Sequence, residues 1–174
     1  YSMPHLPLMP GAAFAGGSPR GTYGDVIEEL DWSIGEIIGT INKRGLAKNT
    51  LVFFTSDNGP WIIKNEHGGS AGPFRDGKGS TWEGGMREPG IAWWPGTVPK
   101  GSVDHEVATT MDIYVTALQL AGARVPTDRT VDGHDISPRL RGSSSSGPRN
   151  PLYYYGPGQK LHAVRQGPWK MHIM

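Results

Sequence analysis

Thr50-Leu51-Val52-Phe53-Phe54-Thr55-Ser56-Asp57-Asn58-Gly59-Pro60 is the stretch on which the reading of this chain turns. Its first half is a β-branched and aromatic run without polar alternation, the pattern of a strand buried on both faces. Its second half is made of turn formers. Upstream, Val26, Leu30, Ile34, Ile37, Ile38 and Ile41 recur at three- and four-residue spacing, which predicts an amphipathic helix from Tyr23 to Arg44. Asp25, Glu28 and Glu29 come early and Lys43-Arg44 late, as a helix dipole favours. Gly45 is the expected stop. Helix, short link and buried strand together form the second half of a βαβ unit, and so an α/β body.

Downstream, a long polar and glycine-rich stretch runs to Pro89 before a second short strand, Ile91-Ala92-Trp93-Trp94. Met111, Val115, Leu118 and Ala121 predict a helix from Thr109 to Ala121, capped by Thr109 or Thr110 and stopped by Gly122. Gly142 to Gly147 has the composition of a linker. Leu152–Tyr155, Leu161–Arg165 and Trp169–His172 read as antiparallel strands joined by tight turns. The expected division is 1–142 as part of an α/β domain and 143–174 as the start of a β-rich region. Trp93-Trp94 and Tyr153-Tyr154-Tyr155 are expected to pack core and sheet.

With 174 residues, the chain is long enough for one core, and six Trp and six Tyr weigh against the disorder that 26 Gly and 15 Pro would otherwise imply. A net charge of +1 gives no electrostatic case for nucleic acid. No apolar run approaches the roughly 18 residues of a membrane span. There is no cysteine, which excludes thiolate chemistry within these residues. The proline-spaced opening Tyr1–Leu8 and the strand-like close Trp169–Met174 predict a piece of a larger domain.

Asp57-Asn58 directly after a strand offers a charged and a neutral oxygen, hard donors of the kind Ca²⁺ or Mg²⁺ takes. It sits where α/β sheets bind ligands, outside the carboxyl ends of the strands. An ordinary Asp-Asn-Gly turn is the alternative reading. Lys78, flanked by Gly77 and Gly79, can bring its ammonium close to an anion, or can be a solvated loop lysine. Gly77-Lys78-Gly79-Ser80 lacks the glycine spacing and following helix of a phosphate-binding P-loop. His67 and His162 are weaker candidates for lining a substrate entrance. His105, His134 and His172 read as structural or surface residues, and Arg87 with Glu88 as support for the Lys78 loop through ion pairing.

Phe54–Pro60, Gly68–Phe74 and Gly77–Pro89 in this order, with Tyr23–Asp31 before them and Trp94-Pro95-Gly96 and Val131-Asp132-Gly133 after, resemble the sulfatase family, in particular its arylsulfatase-like members. The resemblance implies an alkaline-phosphatase-like sheet with flanking helices. It also implies that Asp57 and Asn58 ligate a divalent cation, calcium or else magnesium, and that Lys78 contacts the sulfate. His5, in the His-x-Pro stretch, is implied to face the sulfate as well. The substrate class is then a sulfated small molecule or sulfated glycan. Homo-oligomerisation stays open, as does the compartment, secreted or periplasmic against lysosomal.

The departure from the family is as specific as the match. Sulfatases use a formylglycine made within Cys/Ser-x-Pro-x-Arg, and these residues hold no such motif; Ser18-Pro19-Arg20 and Ser137-Pro138-Arg139 have the wrong spacing. The Asp pair that would complete the cation site is missing too. The nucleophile is therefore expected upstream of Tyr1, and the chain alone is expected to be inactive. A related phosphodiesterase or phosphonate hydrolase, or a non-catalytic remnant of the fold, are the competing readings.

Overall fold

Helix α1 spans Gly21–Lys43, close to the stretch that the apolar spacing predicts. Arg44 caps it, and Gly45, at φ 69, turns the chain out with its N–H on the carbonyl of Asn42. The acids expected to complement its dipole do not lie in the first turn. Asp25 instead turns back on the preceding loop, accepting the N–H groups of Gly16 (2.9 Å) and Ser18 (2.8 Å). Those donors hold the Asp25 carboxyl below the usual carboxylate range. On the same helix the Glu29 carboxylate accepts the N–H of Gly11 at 2.6 Å, so two acids tie the N-terminal loop down.

The computed structural model describes residues 1–143 and 151–173, so most of the linker expected at Gly142–Gly147 lies outside the described residues. The chain divides into two compact units, Tyr1–Thr50 with Asn58–Gly90, and Leu51–Asp57 with Ile91–Met174. The first unit holds α1, a 3-10 segment at Ile62–His67 and a one-turn helix α2, Glu83–Met86. The glycine-rich stretch before Pro89 is thus not one long loop but carries two short helices.

Strand β1, Val52–Thr55, pairs with β2, Gly90–Trp93, in a two-stranded sheet. Val52, Phe53 and Phe54 are half-buried and Thr55 is exposed. The expectation of burial on both faces is therefore met only in part, because a sheet of two strands covers little of its own surface.

Helix α3, Thr110–Leu120, starts from Thr109, whose N–H the Asp112 carboxylate accepts at 2.6 Å. The other Asp112 oxygen accepts the N–H of His134 at 2.9 Å. Thr116 Oγ1 accepts the N–H of Ile136 at 3.0 Å. Asp112 and Thr116 are both fully buried, so these bonds satisfy groups that water cannot reach. A methyl at Gly133 would run into the Met111 carbonyl, and only glycine lets this segment lie against the helix. Val115 and Ile136 bury the apolar side of the same contact. Helix α4, Ser137–Leu140, follows. Its Arg139 spreads a fork to the Asp104 carboxylate (2.8 Å), the Val107 carbonyl (3.0 Å) and the Glu106 carbonyl (2.8 Å).

The last three strands are β3 (Leu152–Tyr155), β4 (Leu161–Gln166) and β5 (Trp169–His172), antiparallel as expected. Tyr153 faces Val164, which faces Met171, and Ala163, opposite His172, is fully buried. Tyr153 and Tyr155 are more than half exposed, so the tyrosine run is not uniform sheet packing. Tyr154 receives the Lys170 ammonium over its ring at 3.9 Å.

Candidate active site

The site is set by backbone packed on backbone. Beyond β1 the chain passes exposed Asp57 and half-buried Asn58. Gly59 then donates its N–H to the Gly85 carbonyl at 3.1 Å, and a methyl on Gly59 would strike the Gly84 carbonyl. Gly84 donates to the Arg75 carbonyl at 2.8 Å and lies against the carbonyl of Asp76, while Gly85 lies against those of Ser80 and Gly77. Any side chain at these positions would force the packed loop segments apart. The glycine richness of this region therefore permits close approach rather than mobility.

Lys78 sits inside this packing. Its N–H donates to the Pro60 carbonyl at 2.8 Å, which fixes where the side chain starts. Its ammonium then lies 5.3 Å from the centre of the Trp61 ring, within the range of a cation–π contact. His5, far away in sequence, brings its imidazole to 5.8 Å from the same ring, tilted at 41°. Two candidates that the sequence separates are thus gathered on one indole. The Lys64 ammonium also lies 4.8 Å from that ring.

The His5 ring is oriented by its neighbour. Nδ1 lies 2.9 Å from the Leu6 carbonyl, and a carbonyl only accepts, so the proton of that bond belongs to Nδ1. Nε2 is the ring nitrogen outside that bond. In the imidazolium form Nε2 also carries a proton and can give it to a substrate oxygen.

The Tyr23 side chain of α1 presses on Gly69, and burial raises its phenol above the usual value. Arg87 pairs with Glu83 at 3.9 Å, where the sequence reading couples it with Glu88, and lies over the Phe74 ring at 4.8 Å. His67 closes the 3-10 segment as an exposed residue. His162 lies on β4 in the other unit, its ring against Gly156. Trp61 and Lys64 are the residues that sequence reading passed over. The available signal was an aromatic and a lysine directly after the Asp-Asn-Gly-Pro turn.

Asp57 and Asn58 present the oxygen types that a hard cation prefers. Among the described residues, no group of three or more His, Cys, Asp or Glu side chains gathers to hold a metal ion. The pair alone does not amount to a complete metal site among the described residues.

A family model described as Sulfatase matches residues 4–123, a span that takes in His5, Asp57, Asn58, His67 and Lys78. The chain is 47% identical over 172 residues to N-acetylgalactosamine-6-sulfatase of Mus musculus, covering 97% of this chain and 32% of that protein. It is 45% identical over 173 residues to arylsulfatase A of Bos taurus, covering 97% of this chain and 34% of the relative. The crystal structure of a sulfatase from Pseudoalteromonas sp. superposes with a TM-score of 0.92 at 34% identity, over 98% of this chain and 34% of that one. The expected α/β, alkaline-phosphatase-like fold class is therefore borne out. The chain spans about a third of the length of the curated relatives it matches.

Proposed function

Because this chain belongs to the sulfatase family, we propose that it is part of a sulfuric ester hydrolase in which Lys78 and His5 act on the sulfate group. The observation that carries the reading is their convergence on Trp61, just past the Asp57-Asn58 pair. Cleaving a sulfate ester spreads negative charge over the non-bridging oxygens and leaves it on the departing oxygen. An ammonium held near the sulfur stabilises the first, as preorganised charge does in a site that excludes water. An imidazolium with Nδ1 anchored on a backbone carbonyl delivers its Nε2 proton to the second.

The nucleophile is proposed to be a formylglycine supplied from outside these residues, since the 174 residues contain neither a cysteine nor Cys/Ser-x-Pro-x-Arg. Asp57 and Asn58 are proposed to hold a divalent cation, calcium or magnesium, together with further ligands. When bound, such a cation would offset charge on the sulfate oxygens. On this account the 174 residues by themselves do not turn over. The names of the relatives, an N-acetylgalactosamine-6-sulfatase and an arylsulfatase, favour a sugar or aryl sulfate as substrate.

The test is Lys78→Ala in the complete protein, assayed on an aryl sulfate. The expected loss in turnover is about 10²–10³-fold, the size seen when one preorganised donor to a developing charge is removed. Activity within a factor of two of the parent would remove Lys78 from the chemistry.

A further inference from the structure

We propose that Trp61 is a positioning residue: its indole holds the Lys78 ammonium and the His5 imidazole in register while leaving the positive charge free for an anion. The proposal rests on the sulfate-ester reading above. A lysine has a long flexible stem, and anchoring its backbone, here through the Pro60 carbonyl, does not place the ammonium. Proteins commonly place one with a carboxylate, but a carboxylate also cancels the charge. Glu83 pairs with Arg87, Asp128 with Arg129 and Asp104 with Arg139, and none of these ion pairs involves Lys78. Among the described residues, what its ammonium meets is the ring, at 5.3 Å. An aromatic face attracts a cation through its quadrupole and carries no net charge, so the ammonium is oriented at its full +1.

The ring is itself held. The Trp61 carbonyl accepts the Lys64 N–H at 2.8 Å, and Gly68 packs directly on that carbonyl. The indole is half-buried, and the His5 ring meets it at 41°. A flat rigid surface fixed at its root, touched by the stem-borne cation and by the proton donor, sets the spacing between two groups from distant parts of the chain. Lys64 adds a second ammonium at 4.8 Å from the ring, which raises the local positive potential without supplying a counter-ion.

The experiment compares Trp61→Leu and Trp61→Phe in the complete enzyme, with Lys78→Ala alongside. Each is assayed for kcat and KM on nitrophenyl sulfate, for inhibition by inorganic sulfate, and for thermal midpoint as a check on folding. Leucine fills much of the volume without a π face, and phenylalanine keeps a π face in a smaller ring. Trp61→Leu is expected to weaken inhibition by inorganic sulfate and to lower kcat/KM, each roughly tenfold, while Trp61→Phe stays within about threefold of the parent. Parent-like sulfate inhibition in folded Trp61→Leu would overturn the proposal. So would equal losses in Trp61→Leu and Trp61→Phe, since packing and not the π face would then be responsible. Should Lys78→Ala itself retain parent activity, the sulfate-ester reading fails, and that outcome is distinct from a silent Trp61.

Discussion

At the scale of single residues, the same substitution is expected to have opposite signs at two glycines. Gly84 lies against the carbonyls of Asp76 and Arg75, so a methyl there must displace backbone, and overpacking of this kind costs about 1–3 kcal/mol or more. Gly35 sits inside α1, and a methyl added there would meet nothing within 4 Å; at such a position alanine is favoured over glycine by up to about 1 kcal/mol. Gly84→Ala should lower the urea midpoint and Gly35→Ala should raise it; equal effects would refute the packing described for the Lys78 loop. The contrast also marks what the sequence holds. A glycine's need for close approach depends on partners such as Gly59 and Gly85, which meet only in the fold. The stretch from Gly59 to Pro89 therefore reads as open loop until its neighbours are known. Trp61 escaped notice for the same reason, since its partner His5 lies in a distant part of the sequence.

At the scale of elements, periodic patterns were legible and side-chain tethers were not. The apolar spacing marks α1 and α3 to within a residue or two, and turn residues mark all three C-terminal strands, because these signals are local. Asp25 shows the limit. It reads as a dipole partner for α1, yet its carboxylate bonds backbone N–H groups of the loop before the helix. Those bonds, from Gly16, Ser18 and Gly17, lower its pKa in the folded chain. A lowered carboxylate contributes stability above its unfolded value, about 3.9, and loses it as pH falls through the native value. Asp25→Asn should therefore be less stable than the parent at neutral pH. Denaturant midpoints taken at descending pH should converge below about pH 4. A gap that stayed constant down to about pH 2 would mean that the carboxylate charge contributes nothing to holding the loop.

At the scale of the whole molecule, the candidate site holds three side chains that the fold gathers and an Asp-Asn pair that follows β1. His5, Trp61 and Lys78 come together within one unit, whereas no group of three or more His, Cys, Asp or Glu side chains forms around Asp57 among the described residues. The sequence named His5 and Lys78 through motif order and passed over the Trp61 that joins them. If Asp57 and Asn58 are two ligands of a larger set, removing either should weaken the cation and leave the other ligands to bind it. Their chemistry fixes the order. Asp57 brings a full negative charge to a divalent ion, while Asn58 brings only a carbonyl dipole, so the Coulomb attraction lost is much larger for Asp57. Chelator-treated complete protein, titrated with Ca²⁺ and assayed on an aryl sulfate, should need more cation for half-maximal activity in both variants. The shift should be larger in Asp57→Ala than in Asn58→Ala. Lys78→Ala should leave that requirement near the parent's, since it acts on the substrate anion and contributes no ligand. A chelator without effect on the parent would dismiss the cation altogether, an equal shift in the two variants would overturn the charge-based order, and no shift in either would return Asp57-Asn58 to the plain turn that its sequence also permits.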